Sequence, residues 1–337
     1  MKKIDEILPP ESEIISGSPD ARSGCIYKSA DGAPWIYRVV LDSGLNVEEK
    51  NILFLADTHF AAINARDISE NNPLVLTSYE KRGPVFGGER VVKNATEVMK
   101  YSPQFDKTVL LGDGMDFLSY GGLEALERYI YGACPDALVL VGNHDDTRIA
   151  GHRASDETPR SSREEILASV IKNDIFYHSE PLGDGILLIG MNNCHRRYTE
   201  QQRALLEADI RRAREEGRKV IIAQHEMINT GREEDSRLPV LHLNSSWCYN
   251  SAYNFCNGAD KIGTAADNET TSAVYNLICS SADVILAVFA GHWHNAAYCE
   301  INASYNKDGK TVNTTIPQYV VPSAAYGDGF MAVVTVK

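Results

Sequence analysis

Apolar residues along this chain collect in short unbroken runs, and between the runs lie longer stretches in which they recur every three or four positions. An apolar run of four to six residues without alternation reads as a strand buried on both faces, as in layered α/β sheets. Such strands are predicted at 52–56, 108–111, 137–141, 186–189, 220–223 and 284–289, and helical spacing predicts helices at 89–100, 161–171, 199–216 and about 268–280. Upstream, 25–29 and 35–41 are β-rich and flank Ala30-Asp31-Gly32-Ala33-Pro34, a turn signal, so a hairpin is expected at the edge of the sheet. Downstream, 298–305, 319–321 and 331–336 read as strands of a closing antiparallel portion. The alternating pattern places the chain in the α/β class.

Two segments break the pattern. Residues 1–21 are polar, contain Pro9-Pro10 and read as a lead-in. Residues 226–266 are rich in Asn, Ser, Tyr and Gly without periodicity and read as a lid-like insertion. Within it Trp247, Tyr249, Tyr253 and Phe255 offer aromatic surface, either to pack the lid down or to stack on a ligand. The expected organisation is an N-terminal extension with a β-hairpin, 1–48, followed by one large domain, 49–337.

Composition narrows the classes. At 337 residues, 43% hydrophobic and 23% charged, the chain can bury a sizeable core. A net charge of −13 argues against duplex nucleic acid as a partner, since that binding depends on clustered cations. It does not exclude a small phosphate ester, because a bound divalent cation reverses the local field. The seven cysteines are scattered, odd in number and form no Cys-x-x-Cys, which suits a reducing cytoplasm better than a disulfide framework. Neither a secretory signal nor a stretch long enough to span a bilayer is visible, so a cytoplasmic location away from membranes is expected. Oligomeric state is not readable.

Polar clusters follow several of the apolar runs, where ligands of open α/β sheets bind. They are Asp57-Thr58-His59, Gly112-Asp113-Gly114-Met115-Asp116, Gly142-Asn143-His144-Asp145, the lone His225, and Gly291-His292-Trp293-His294. Asp57 and His59 can reach one cation from adjacent loop positions, and the two carboxylate oxygens of Asp113 can bridge two ions roughly 3.5–4 Å apart. Asp116 is placed either to accept a hydrogen bond from a neighbouring histidine or to cap a helix. Asn143 offers a neutral oxygen, and His144 is a candidate general acid or electrostatic stabiliser. Five of the nine histidines fall within these clusters. Burying them together without a metal would leave several polar groups unpaired, at roughly 1–3 kcal/mol each.

In this order the motifs Asp-x-His, Gly-Asp-x-x-Asp, Gly-Asn-His-Asp, His and Gly-His-x-His resemble those of the calcineurin-like metallophosphoesterase superfamily, over residues 51 to about 296. The resemblance implies a four-layer α-β-β-α sandwich of two mixed sheets flanked by helices, with 49–337 as the catalytic domain. It further implies Asp57, His59, Asp113 and His294 on one metal, and Asp113, Asn143, His225 and His292 on the other. His144 would be the catalytic histidine, oriented by Asp116. Purple acid phosphatases are similar but carry a tyrosine where this chain has Asp116 and lack a counterpart of His59. The mixed His, Asp and Asn donor set suits two divalent ions such as Mn, Fe, Zn or Co. Such a pair acidifies a bridging water, and the resulting hydroxide attacks phosphorus in line.

The run from Gly142 to Arg148 is similar to the Asn-His-Asp-Asp motif of class III phosphodiesterases, so a small phosphodiester is the expected substrate. A phosphomonoesterase or a nucleotide pyrophosphohydrolase is the alternative on the same centre, and a non-catalytic metal-binding scaffold a remote one. Arg148 and, in the loop after 186–189, Asn193 and His195 are candidate substrate contacts.

Overall fold

A computed structural model describes residues 13–28, 33–149, 160–194, 197–228, 239–241, 255–256 and 268–337. The lead-in to residue 12, His195 and most of the expected lid, with Trp247, Tyr249 and Tyr253, lie outside the described residues.

Two seven-stranded mixed sheets form the centre. The first contains β1 (Glu13–Gly17), β2 (Cys25–Lys28), β3 (Trp35–Leu41), β4 (Lys50–Leu55), β5 (Lys107–Leu110), β6 (Leu138–Val139) and the last strand, β16 (Phe330–Val336). Its order is β1-β2-β3-β16-β4-β5-β6. The second contains β7 (Tyr177–Leu182), β8 (Ile186–Met191), β9 (Lys219–Gln224), β11 (Pro239–Leu241), β13 (Ile285–Ala290), β14 (Ala296–Lys307) and β15 (Lys310–Val320), in the order β11-β14-β15-β13-β9-β8-β7. A two-residue pair, β10 (Met227–Ile228) with β12 (Phe255–Cys256), lies apart. Helices α1 (Ala65–Glu70), α2 (Pro73–Phe86), α3 (Glu89–Met99), α4 (Tyr120–Ala125) and α5 (Arg160–Ala168) come between strands of the first half, and α6 (Glu200–Glu216) and α7 (Asn268–Cys279) between strands of the second. None of the helices among the described residues is long and apolar enough to cross a membrane.

Side-chain alternation divides the apolar residues into three layers. On β4, Ile52 and Phe54 face the other sheet while Leu53 and Leu55 face outward, and on β9, Ile221 faces inward while Val220 and Ile222 face outward. Between the sheets, Phe54 stacks on Phe289 at 4.5 Å between ring centroids, and Phe289 on Tyr319 at 5.1 Å. Outside the first sheet, Leu53 and Leu55 join Val91, Ala95 and Val98 of α3 in one apolar cluster. Outside the second, Val220 and Ile222 join Leu206 and Ile210 of α6 and Val274 and Ile278 of α7. This is the expected four-layer sandwich, and burial on both faces explains why its central strands read as unbroken apolar runs.

The N-terminal hairpin β2–β3 does not merely lie at an edge. β3 pairs in parallel with all seven residues of β16, the last strand of the chain, so the sheet is sealed by segments some 300 positions apart. β4, β5 and β6 are mutually parallel, as are β8, β9 and β13, and the polar clusters follow the carboxyl ends of β4, β5, β6, β9 and β13.

Candidate metal centre

Three of the five clusters leave their strands through left-handed residues. Asp57, His59, Asp113, His292 and His294 all adopt left-handed backbone angles, with φ of 54°, 50°, 49°, 67° and 57°. Only two other non-glycine residues among those described do so. Such angles cost a β-carbon-bearing residue of the order of 1 kcal/mol or more, and they persist where the surroundings enforce them. The enforcement here is a lattice of main-chain bonds between loops. Asp57 N–H donates to Gly112 O at 3.0 Å, His59 N–H to Asp113 O at 2.9 Å, and Gly291 N–H to His225 O at 3.0 Å, while Ser323 Oγ donates to Asp57 O at 2.7 Å.

The side chains converge on two groups of donors that share Asp113. Asp57, His59, Asp113 and His294 present ligand atoms all within 4.8 Å of one another, and Asp113, His225 and His292 do the same. Asn143 Oδ1 lies 3.0 Å from His225 Nε2 and so belongs beside the second group. All seven candidate ligands are thus brought together, in two groups that meet at Asp113. Asp113 is held in place by His144, whose backbone N–H donates to its Oδ1 at 2.8 Å, and Asp57 accepts the His292 N–H at 3.0–3.1 Å. Gly142 must be a glycine, because a side chain there would collide with the Asp113 carboxylate and backbone nitrogen.

The tautomers make the donor set fit a cation. His225 Nδ1 lies 2.8 Å from the carbonyl of Leu111, which can only accept, so Nδ1 carries a proton and Nε2 is the ring atom turned inward. There it meets further acceptors, Asp113 Oδ2 at 3.2 Å and Asn143 Oδ1 at 3.0 Å. Acceptors crowded around one ring nitrogen call for positive charge. Burial lowers the His225 imidazole, yet the charge of Asp113 and its bond outweigh burial and push it up to about 10. Asp113 responds in kind: burial raises its carboxyl, but the charges of His225 and His144 hold it well below the ordinary range. A divalent ion supplies that charge without a proton. At the other group His59 Nε2 and His294 Nε2 face each other at 2.9 Å, and His294 Nε2 lies 3.4 Å from Asp57 Oδ1. Burial, against the pull of Asp116, lowers the His59 imidazole toward the neutral form that ligates metals.

His144 and Asp116 meet differently from the sequence expectation. His144 Nδ1 bonds to the main-chain carbonyl of Asp116 at 2.8 Å, whereas the nearer carboxylate oxygen is 3.6 Å away. That carboxylate lies instead 3.0 Å from His59 Nδ1 and accepts two bonds from Arg82, at 2.7 and 2.9 Å. Burial would raise it, but Arg82 and His59 bring it down to about 2. Asp116 therefore bonds His144 through its backbone and packs its carboxylate against His59 Nδ1 at ion-pair distance.

Asn193 requires a correction. It is fully buried, its Oδ1 accepts the backbone N–H of His225 at 3.2 Å and of Glu226 at 2.9 Å, and its Nδ2 donates to Glu226 O at 2.6 Å. With its oxygen accepting twice and its nitrogen donating to Glu226, it clamps the His225 turn, and its full burial keeps it from substrate. Arg148 is also buried, at 9% exposure, and its carbonyl accepts from Ser78 Oγ on α2. Sequence reasoning passed over Asp145, whose buried carboxylate accepts from the backbone of Met115 at 2.7 Å, Gly142 at 2.8 Å and Gly114 at 3.3 Å, tying the second and third loops together. It also passed over Arg82, which has no motif and lies 34 residues from its partner.

No protein-family description and no curated protein sequence matches the chain. Among solved structures, the chain is similar to a dimetal phosphatase from Danio rerio, at 12% identity and a TM-score of 0.45 over 82% of this chain and 88% of that one. It is similar also to a Staphylococcus aureus protein assigned as a 5′-nucleotidase, in complex with alpha-ketoglutarate, at 11% identity and a TM-score of 0.39 over 86% of this chain and 51% of that one. A third likeness is to a purple acid phosphatase from yellow lupin seeds, at 12% identity and a TM-score of 0.43 over 86% of this chain and 44% of that one.

Proposed function

We propose that this chain is a calcineurin-like metallophosphoesterase that hydrolyses a small phosphodiester at a centre of two divalent cations. The observation that carries the reading is Asp113, one carboxylate shared by two convergent groups of histidine and carboxylate donors. Asp57, His59, Asp113 and His294 would hold one cation, and Asp113, Asn143, His225 and His292 the other. Two bound cations supply an acidified water as nucleophile and positive charge against the phosphoryl oxygens.

The remaining work belongs to the side chains. His144, its Nδ1–H pinned to the Asp116 carbonyl, would act through Nε2, which as part of the imidazolium would give its proton to the leaving oxygen and return to a lone pair. Asp145 and Asn193 keep the ligand loops in register, so little rearrangement accompanies the reaction. The preference for a diester rests on the Asn-His-Asp-Asp run, and the cytoplasmic assignment on the scattered cysteines.

The test is hydrolysis of bis-p-nitrophenyl phosphate beside p-nitrophenyl phosphate, with Mn2+ or with a chelator, for the wild type, Asn143→Ala and His144→Ala. Metal-dependent diester cleavage lost in both variants is the expected result. A preference for the monoester would replace the phosphodiesterase by a phosphatase, and no turnover of either by a protein holding two Mn2+ would sink the reading for these ester classes.

A further inference from the structure

We propose that Arg82 is a positioning residue of the metal centre, acting through Asp116 on His59. The inference rests on the binuclear reading above. Arg82 lies near the end of α2, and its guanidinium grips the Asp116 carboxylate in a fork, Nε on Oδ2 at 2.7 Å and Nη2 on Oδ1 at 2.9 Å. The same Oδ1 lies 3.0 Å from His59 Nδ1. At the opposite end of that ring, Nε2 faces the donor group, 3.9 Å from carboxylate oxygens of both Asp57 and Asp113. Arginine, carboxylate and imidazole thus follow one another in a chain of close contacts that ends at the donor group.

Phe86, one turn after Arg82, braces these contacts from the side. Its ring lies 4.6 Å from the Arg82 guanidinium and 5.1 Å from the centroid of the His59 ring. α2 therefore fixes both the carboxylate and the imidazole it serves. The fork also decides which histidine receives the carboxylate. Asp116 has two histidines within reach, His59 at 3.0 Å and His144 at 3.6 Å, and a carboxylate free to rotate can turn toward either. With both oxygens held by the planar guanidinium, the carboxylate stays on His59 and the carbonyl keeps His144. Partners of this outer kind set metal affinity, typically by 10–100-fold on removal.

The test is calorimetric titration of Mn2+ alone into the metal-free full chain, for wild type, Arg82→Gln, Arg82→Lys, Asp116→Asn and the Gln/Asn double variant. The wild type takes up two equivalents. Arg82→Gln weakens one of them by about 10–100-fold and leaves the other unchanged. Arg82→Lys, which keeps the charge but not the fork, falls between and serves if the glutamine variant does not fold. The double variant binds no more weakly than Asp116→Asn alone, because the arginine acts only through that carboxylate. Unchanged Mn2+ affinities in Arg82→Gln and Arg82→Lys, or additive losses in the double variant, overturn the inference. A raised KM with intact Mn2+ binding likewise overturns it, and makes Arg82 a substrate contact. A wild type that takes up fewer than two equivalents overturns the binuclear reading, and the inference with it.

Discussion

Gly112 precedes Asp113, the carboxylate common to both donor groups, and replacing it with alanine should damage both the fold and the candidate metal centre. Its φ of +88° is one that a residue with a β-carbon adopts at a cost of about 1–2 kcal/mol. A β-carbon there would also lie 2.7 Å from His225 Nδ1 and 2.9 Å from the Cα and N of Gly142. The Gly142 contacts are backbone and cannot yield cheaply, so the imidazole must. Moving it to an ordinary contact of about 3.4 Å is a displacement of roughly 0.7 Å, enough to strain the 2.8 Å bond from Nδ1 to the Leu111 carbonyl that sets the tautomer. That bond contributes about 1 kcal/mol. The expected loss is therefore about 2–3 kcal/mol in urea unfolding of the chelator-treated protein, with the Mn2+ equivalent held by His225 weakened about tenfold or more. Wild-type unfolding and two Mn2+ equivalents of unaltered affinity in Gly112→Ala would show that the loop does not depend on this close approach.

Two further expectations test the core and the buried charges. Phe289→Ala removes the ring stacked between Phe54 and Tyr319 and should cost about 3–5 kcal/mol in urea unfolding, whereas a loss under about 1 kcal/mol would mean the sheets are not packed through these rings. Asp116 is depressed in the folded state to about 2, so its ionised form contributes stability above the unfolded carboxyl range near 4, and that contribution is lost as pH falls through about 2. Over that interval the chelator-treated wild type should lose roughly 2 kcal/mol more than Asp116→Asn, and parallel acid limbs in the two proteins would rule this out.

The central strands and the ligand clusters were legible because one physical condition produces both. Strands covered on both faces must be apolar throughout, so an Asp or His immediately after one stands out. Elements outside the central layers were harder to read. β7 reads Tyr-His-Ser-Glu-Pro-Leu, with its middle residues half exposed, and carries no strand signal. The outer half of β15, Lys310–Thr315, is polar for the same reason, so only its buried end was anticipated. Helix α2 contains Gly83 and Pro84 and only three buried residues, leaving no clear helical stripe. Roles that depend on contacts distant in sequence could not be read at all. Asn193 looked like a loop residue facing substrate, Asp116 was assigned to His144 by its carboxylate, and Arg82 carried no signal because its partner is fixed only by the way α2 folds back over the loops.

Each donor group draws on both sheets. Asp57, His59 and Asp113 come from the first and His294 from the second, while Asp113 and Asn143 from the first meet His225 and His292 from the second. The interior of the sandwich is apolar and its attraction non-directional, so packing alone resists separation of the sheets better than it resists a small pivot of one on the other. A cation in either group would act as a rivet at the open end, since ligation is directional and tolerates little pivoting. The loops that carry the donor groups would then also set the angle between the two halves of the molecule.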